Sequence, residues 1–117
     1  GDDWEQLHSN IDGEASTDQF GSAVSMSRDG SKIAVGAYMN DGAGTNSGHV
    51  RVYYDDPATG WEQLYLDIDG EAPADFSGWA VSLSGDGTRL VVGARDNDGS
   101  DGKENSGHVR VFKNGVQ

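Results

Sequence analysis

The chain has 117 residues, with 8 Lys and Arg against 20 Asp and Glu for a formal net charge of −12, and it contains 18 Gly and no Cys. The length fits one domain, and the charge argues against a nucleic-acid or anionic-membrane partner, since both are met with Lys/Arg footprints. Zero cysteine excludes a disulfide scaffold, a thiolate metal site and thiol catalysis, and no apolar run approaches the roughly 18–20 residues of a membrane span.

The first element in chain order is half of a repeat. Trp4-Glu5-Gln6-Leu7 returns as Trp61-Glu62-Gln63-Leu64, and Ile11–Ala15 returns as Ile68–Ala72, each 57 positions on. Asn46–Val52 returns as Asn105–Val111, now 59 positions on, so the second copy carries two extra residues in the loop before that run. Between Trp4–Val52 and Trp61–Val111, 30 positions are identical. Chance does not produce that, so the chain is two copies of one unit, residues 1–59 and 60–117, the second with a short tail from Lys113.

Within a unit the patterning is that of strands. Trp4–Leu7 makes a first short run, and Asp12-Gly13 opens the loop after it. Val24 and Met26 alternate with Ser25 and Ser27, Asp29-Gly30 supplies a tight turn, and Ile33 and Val35 alternate in the next run. Asp41-Gly42 opens a longer loop, after which Val50 and Val52 alternate with His49, Arg51 and Tyr53. The second copy repeats the order with Trp61–Leu64, Asp69-Gly70, Val81 and Leu83, Asp86-Gly87, Leu90 and Val92, Asp98-Gly99, and Val109 and Val111. No stretch holds an apolar period of 3.6 over three turns. The pattern predicts an all-β fold of two four-stranded antiparallel β-propeller-type blades.

Phe20-Gly21 followed by Val35-Gly36-Ala37 resembles the FG-GAP repeat of integrin-α-type β-propellers, and the second unit keeps Ser77-Gly78 and Val92-Gly93-Ala94. Tyr38 and Arg95 stand where the motif has Pro, and the second unit's aromatic, Phe76, lies one place early. The resemblance implies adhesion or recognition, and the acidic, Cys-free, Gly/Asp-rich composition points to a secreted or cell-surface protein in a calcium-rich exterior. Integrin-type propellers hold calcium in the hairpin between the first two strands through several Asp residues. That hairpin has only Asp29 or Asp86 here, so the family's site is not carried over.

Propellers use about four to eight blades, and two leave exposed flanks and edges. The Trp strand is normally the outermost strand of a preceding blade. The chain is therefore expected to complete a propeller by homo-oligomerisation, its N-terminal strand joining the C-terminal blade of the next copy head to tail. A closed ring, a filament or array piece, and an intertwined dimer all remain open.

Calcium is the expected cofactor, at acidic loops that place oxygens around a Gly turn. The candidates are Asp67, Asp69, Glu71 and Asp75, their counterparts Asn10, Asp12, Glu14 and Asp18, and a second loop with Asp96, Asp98 and Asp101. Trp4 and Trp61 are repeat-equivalent and read as blade packing. Trp79 has Ser22 as its counterpart, which makes it the candidate ligand-binding aromatic. His49 and His108 are also repeat-equivalent and read as structural. No motif assembles a base, an orienting partner and a nucleophile. The expected function is a non-enzymatic extracellular module that binds protein or glycan. The alternatives are a structural unit of a self-assembling surface fibre, and a hydrolase or lyase with a site at the propeller axis.

Overall fold

The computed structural model describes residues 3–15, 17–41, 44, 46–95 and 107–113. Seven strands follow in order: β1 (Phe20–Met26), β2 (Lys32–Ala37), β3 (His49–Asp56), β4 (Gly60–Asp69), β5 (Ser77–Leu83), β6 (Arg89–Ala94) and β7 (His108–Lys113). They form two antiparallel sheets, ordered β1-β2-β3-β4 and β5-β6-β7. No helix occurs among the described residues.

Period-2 patterning sets which face of each strand meets the other sheet. Ala34, Val50 and Val52 of the first sheet are buried against Leu90 and Val92 of the second, with Leu64, Ile68, Val81, Leu83 and Phe112 packed around them. The β1–β2 and β5–β6 hairpins close on the same turn. Asp29 Oδ1 accepts from Ser27 Oγ at 3.1 Å, Ser31 N at 2.9 Å and Ser31 Oγ at 2.7 Å. Asp86 Oδ1 accepts from Ser84 Oγ at 2.8 Å, Thr88 N at 3.0 Å and Thr88 Oγ1 at 2.7 Å.

Three donors on one carboxylate favour its ionised form. The Thr88 hydroxyl, with Ser84 and the Thr88 amide, holds Asp86 down to about 2. The depressed value means that the turn's contribution to stability is present above the ordinary Asp range and disappears as pH falls through about 2. Carboxyl-carbon NMR titration should place the Asp86 midpoint there, and Thr88→Ala should move it back toward the ordinary value.

Two expectations are corrected. The first is that Trp4–Leu7 forms a strand, and it does not. The second is a pair of four-stranded blades, whereas the second sheet has three strands among the described residues. Both differences have one physical cause. A strand needs an edge to pair with. The segment holding Trp61 finds the edge of β3 and becomes β4, paired from Asp56↔Gly60 to His49↔Asp69 with a register shift between Val50 and Val52. The equivalent Trp4 segment pairs with no strand among the described residues, and Trp4 is fully exposed. The Trp strand that opens the second sequence unit thus closes the first sheet.

The sheets meet at a glycine seam. β1 and β5 each begin with a bulge, between Phe20 and Ala23 and between Ser77 and Ala80. Gly78, in the second bulge, has φ 91°, a left-handed conformation that favours Gly. A Cβ built on Gly36 would overlap the Gly78 carbonyl oxygen. Hydrogen bonds from Ser77 N to Ser47 O at 2.9 Å and from Arg28 N to Gly85 O at 2.8 Å pin the seam at its two ends.

Candidate functional site

The densest charged constellation surrounds the first residue of β3. His49 lies opposite Ala37 of β2 and Asp69 of β4, so its side chain is enclosed by strands on both sides. It is 1% exposed. Its Nδ1 has no hydrogen-bond partner. Three carboxylate oxygens face that atom: Glu14 Oε1 at 3.9 Å, Asp67 Oδ2 at 3.9 Å and Asp69 Oδ1 at 4.0 Å.

Arg51, two residues along β3 on the same face, ties this ring together. Its Nε donates to Asp67 Oδ1 at 2.8 Å, and one terminal nitrogen donates to Glu14 Oε2 at 2.7 Å and to Asp67 Oδ2 at 3.1 Å. Gln63 Nε2 donates to Asp67 Oδ1 at 2.6 Å. Asn40 Nδ2 donates to Glu14 Oε1 at 2.7 Å and to buried Asp18 Oδ2 at 2.9 Å. The hydrogen bond from Asn40 is the main cause of a lowered Glu14 carboxyl, and that from Arg51 the main cause of a lowered Asp67. Burial pushes the His49 imidazole below its ordinary value, against the opposing pull of Asp67, Glu14 and Asp69.

Of the candidate metal ligands, Glu14, Asp67 and Asp69 come together here, and Asn40 links Asp18 to them. The others lie apart. Asn10 accepts from Gln6, and Asp12 lines a cleft with His8, Tyr53 and Trp61. Asp75 is buried and caps the turn at Ala72 N, at 3.0 Å. Glu71 sits 3.4 Å from His108 Nε2. Asp96, Asp98 and Asp101 lie outside the described residues. Sequence reasoning set His49 and Arg51 aside as structural. The signal available was their place on the run that pairs with the Trp strand and its acidic end.

The second unit carries the same residues, with no fourth strand among the described residues. His108 Nε2 and Arg110 Nε are buried and have no hydrogen-bond partner. Where Arg51 has Asp67 on β4, Arg110 donates to Asp69 O at 2.9 Å and Ser77 Oγ at 3.3 Å. Trp79 packs in the seam, 43% exposed, with Tyr38 edge-on at 4.6 Å and the Arg95 guanidinium 4.5 Å over its ring. Tyr38 and Arg95, the two residues at the motif's Pro position, therefore meet across one indole.

Two repeated antiparallel sheets joined through a glycine seam, with a strand handed from one unit to the sheet before it, define a propeller-like repeat protein. The chain belongs to the FG-GAP repeat family, whose profile matches residues 11–53 and 66–112. No curated protein matches the chain. FG-GAP repeats are typically non-enzymatic and extracellular or surface-associated modules of binding and adhesion. No helix among the described residues is long and apolar enough to cross a membrane.

Proposed function

We propose that the chain is a non-enzymatic, extracellular interaction module that works by joining head to tail with a second copy of itself, whose Trp4–Asp12 segment adds to the free edge of β7. The observation that carries this is a difference between repeat-equivalent residues. Val50 and Val52 are 0% and 9% exposed, whereas Val109 and Val111 are 62% and 65% exposed. The first pair is covered by the second sheet and β4, and the second pair faces outward on the terminal flank.

The opposite flank offers the complement. Val24 and Met26 are exposed, while their counterparts Val81 and Leu83 pack into the core. The donor segment already has the bend of β4, since His8 has φ 64° and its counterpart Tyr65 has φ 68°. Arg110 Nε, buried and without a hydrogen-bond partner, marks where a polar group of an added strand would bond. Burial of two such apolar flanks is the driving force.

The glycine seam supplies the test. Gly93 is the counterpart of Gly36, and a Cβ there meets only Ala80, at 3.7 Å and beyond. Gly21, the counterpart of Gly78, has nothing within 4 Å. In a head-to-tail contact these two would meet as Gly36 and Gly78 do. Gly93→Ala is expected to leave the fold intact and abolish association, read by sedimentation equilibrium. A wild-type chain that stays monomeric at high micromolar concentration would overturn the proposal.

A protein or glycan ligand has one specific place to stack, the exposed part of Trp79 beside Arg95. Titration with oligosaccharides should then shift Trp79 fluorescence, and Trp79→Phe should remove the response. No shift with any glycan or protein tested would leave Trp79 as seam packing alone.

A further inference from the structure

The site around His49 goes beyond the assembly reading, because its polar groups all come from one chain. We propose that His49 Nδ1 and the carboxylates of Glu14, Asp67 and Asp69 form a binding site for a divalent transition-metal ion of the Zn²⁺ type. The imidazole is 1% exposed, yet its Nδ1 has no hydrogen-bond partner. A buried polar atom left in that condition costs free energy, so something of opposite character belongs beside it. Carboxylate oxygens at 3.9, 3.9 and 4.0 Å are too far to accept a hydrogen bond from it. Each distance to Nδ1 is one that two ligands of a single ion can have, since two donors each roughly 2.1 Å from one ion lie at most about 4.2 Å apart; Asp69, 45% exposed, reaches Nδ1 but lies outside the group formed by Glu14, His49 and Asp67 and would turn in to join it.

The ligand atoms of Glu14, His49 and Asp67 all lie within 4.8 Å of one another. Glu14 and Asp67 are partly exposed and can close on an ion by small side-chain rotations. Charge agrees with this. Three carboxylates and Arg51 sum to −2, which a dication neutralises. The neighbours are those that orient metal-binding carboxylates: Arg51 holds Glu14 Oε2 and both Asp67 oxygens, Asn40 holds Glu14 Oε1, and Gln63 holds Asp67 Oδ1. A buried imidazole is a poor calcium ligand, because calcium takes oxygen donors. One nitrogen with carboxylate oxygens suits zinc and its neighbours.

The test uses the whole chain after dialysis against a chelator. Titration with Co²⁺ is expected to give visible d–d bands that Zn²⁺ displaces and Ca²⁺ does not. Zn²⁺ should shift the His49 Nδ1 resonance in ¹⁵N NMR. Asp69→Asn leaves the Arg51 network in place and should weaken Co²⁺ binding about tenfold or more, with an unchanged circular dichroism spectrum. His49→Gln should remove the Co²⁺ bands. If that variant fails to fold, the Nδ1 shift and Asp69→Asn decide. Absence of d–d bands, or Co²⁺ binding unaltered by Asp69→Asn without a His49 shift, would overturn the site and leave Nδ1 to a water. Gly93→Ala, which tests assembly, should leave metal binding unchanged, so the two proposals fail separately.

Discussion

Gly36→Ala is expected to destabilise the fold by about 3 kcal/mol, at the upper end of what overpacking usually costs. The new methyl would overlap the Gly78 carbonyl oxygen, which is backbone and cannot rotate away. Gly78 has little freedom to retreat. Its φ of 91° belongs to the bulge that starts β5, and a Cβ built on it would itself press on His49 O at 2.6 Å. The seam must therefore open, which separates Ala34, Val50 and Val52 from Leu90 and Val92. Urea denaturation of the two Gly→Ala variants at equal concentration makes the comparison. At a concentration too low for association, Gly93→Ala, with only ordinary contacts around its methyl, should stay within about 1 kcal/mol of the parent chain. Equal stability of the two variants would show that the sheets do not meet at Gly36.

Arg51→Leu is expected to cost about 1–2 kcal/mol, because a mostly buried guanidinium is lost from two partly exposed carboxylates that keep only their amide donors. Arg51 is 16% exposed and serves Glu14 and Asp67 together. Leu keeps the packing volume along β3 and removes only the donors. The loss should change the acid response as well. In the parent chain Glu14 and Asp67 titrate below their ordinary values. Their contribution is thus present above the ordinary carboxylate range near pH 4 and is lost as pH falls below it. Without the guanidinium that gap narrows, so stability measured at pH 7 and at pH 3 should differ less in Arg51→Leu than in the parent. Arg110→Leu should cost less, since Arg110 bonds a carbonyl and a hydroxyl where Arg51 bonds carboxylates.

The strands within each unit were legible because alternation and Asp-Gly turns are local signals. Val24 to Met26, Ile33 to Val35 and Val50 to Val52 all lie in strands, joined as expected through Asp29-Gly30. The repeat also told which strand crosses over, because Trp61–Leu64 pairs with β3 of the sheet before it. The state of Trp4–Leu7 was not legible. Identical residues adopt different structures in the two copies, and only the presence of a pairing edge separates them. The charged cluster was half legible. Acidic loops stood out by composition, but grouping them by sequence proximity put Asp67 with Glu71 and Asp75. The antiparallel β3–β4 ladder instead carries Asp67 and Asp69 to His49 and Glu14. A pairing between residues far apart in sequence follows from sheet register, which no local pattern states.

The out-of-phase relation between sequence unit and sheet bears on how such a protein grows. Because β4 opens the second unit yet belongs to the first sheet, a tandem duplication with breakpoints before Trp4 and Trp61 inserts a cassette that gives one strand backward and receives one from its successor. Lengthening the series in this way creates no additional raw edge, whatever the number of cassettes. A breakpoint between β4 and β5 would instead add whole sheets, with no strand exchanged between the new cassette and its neighbours.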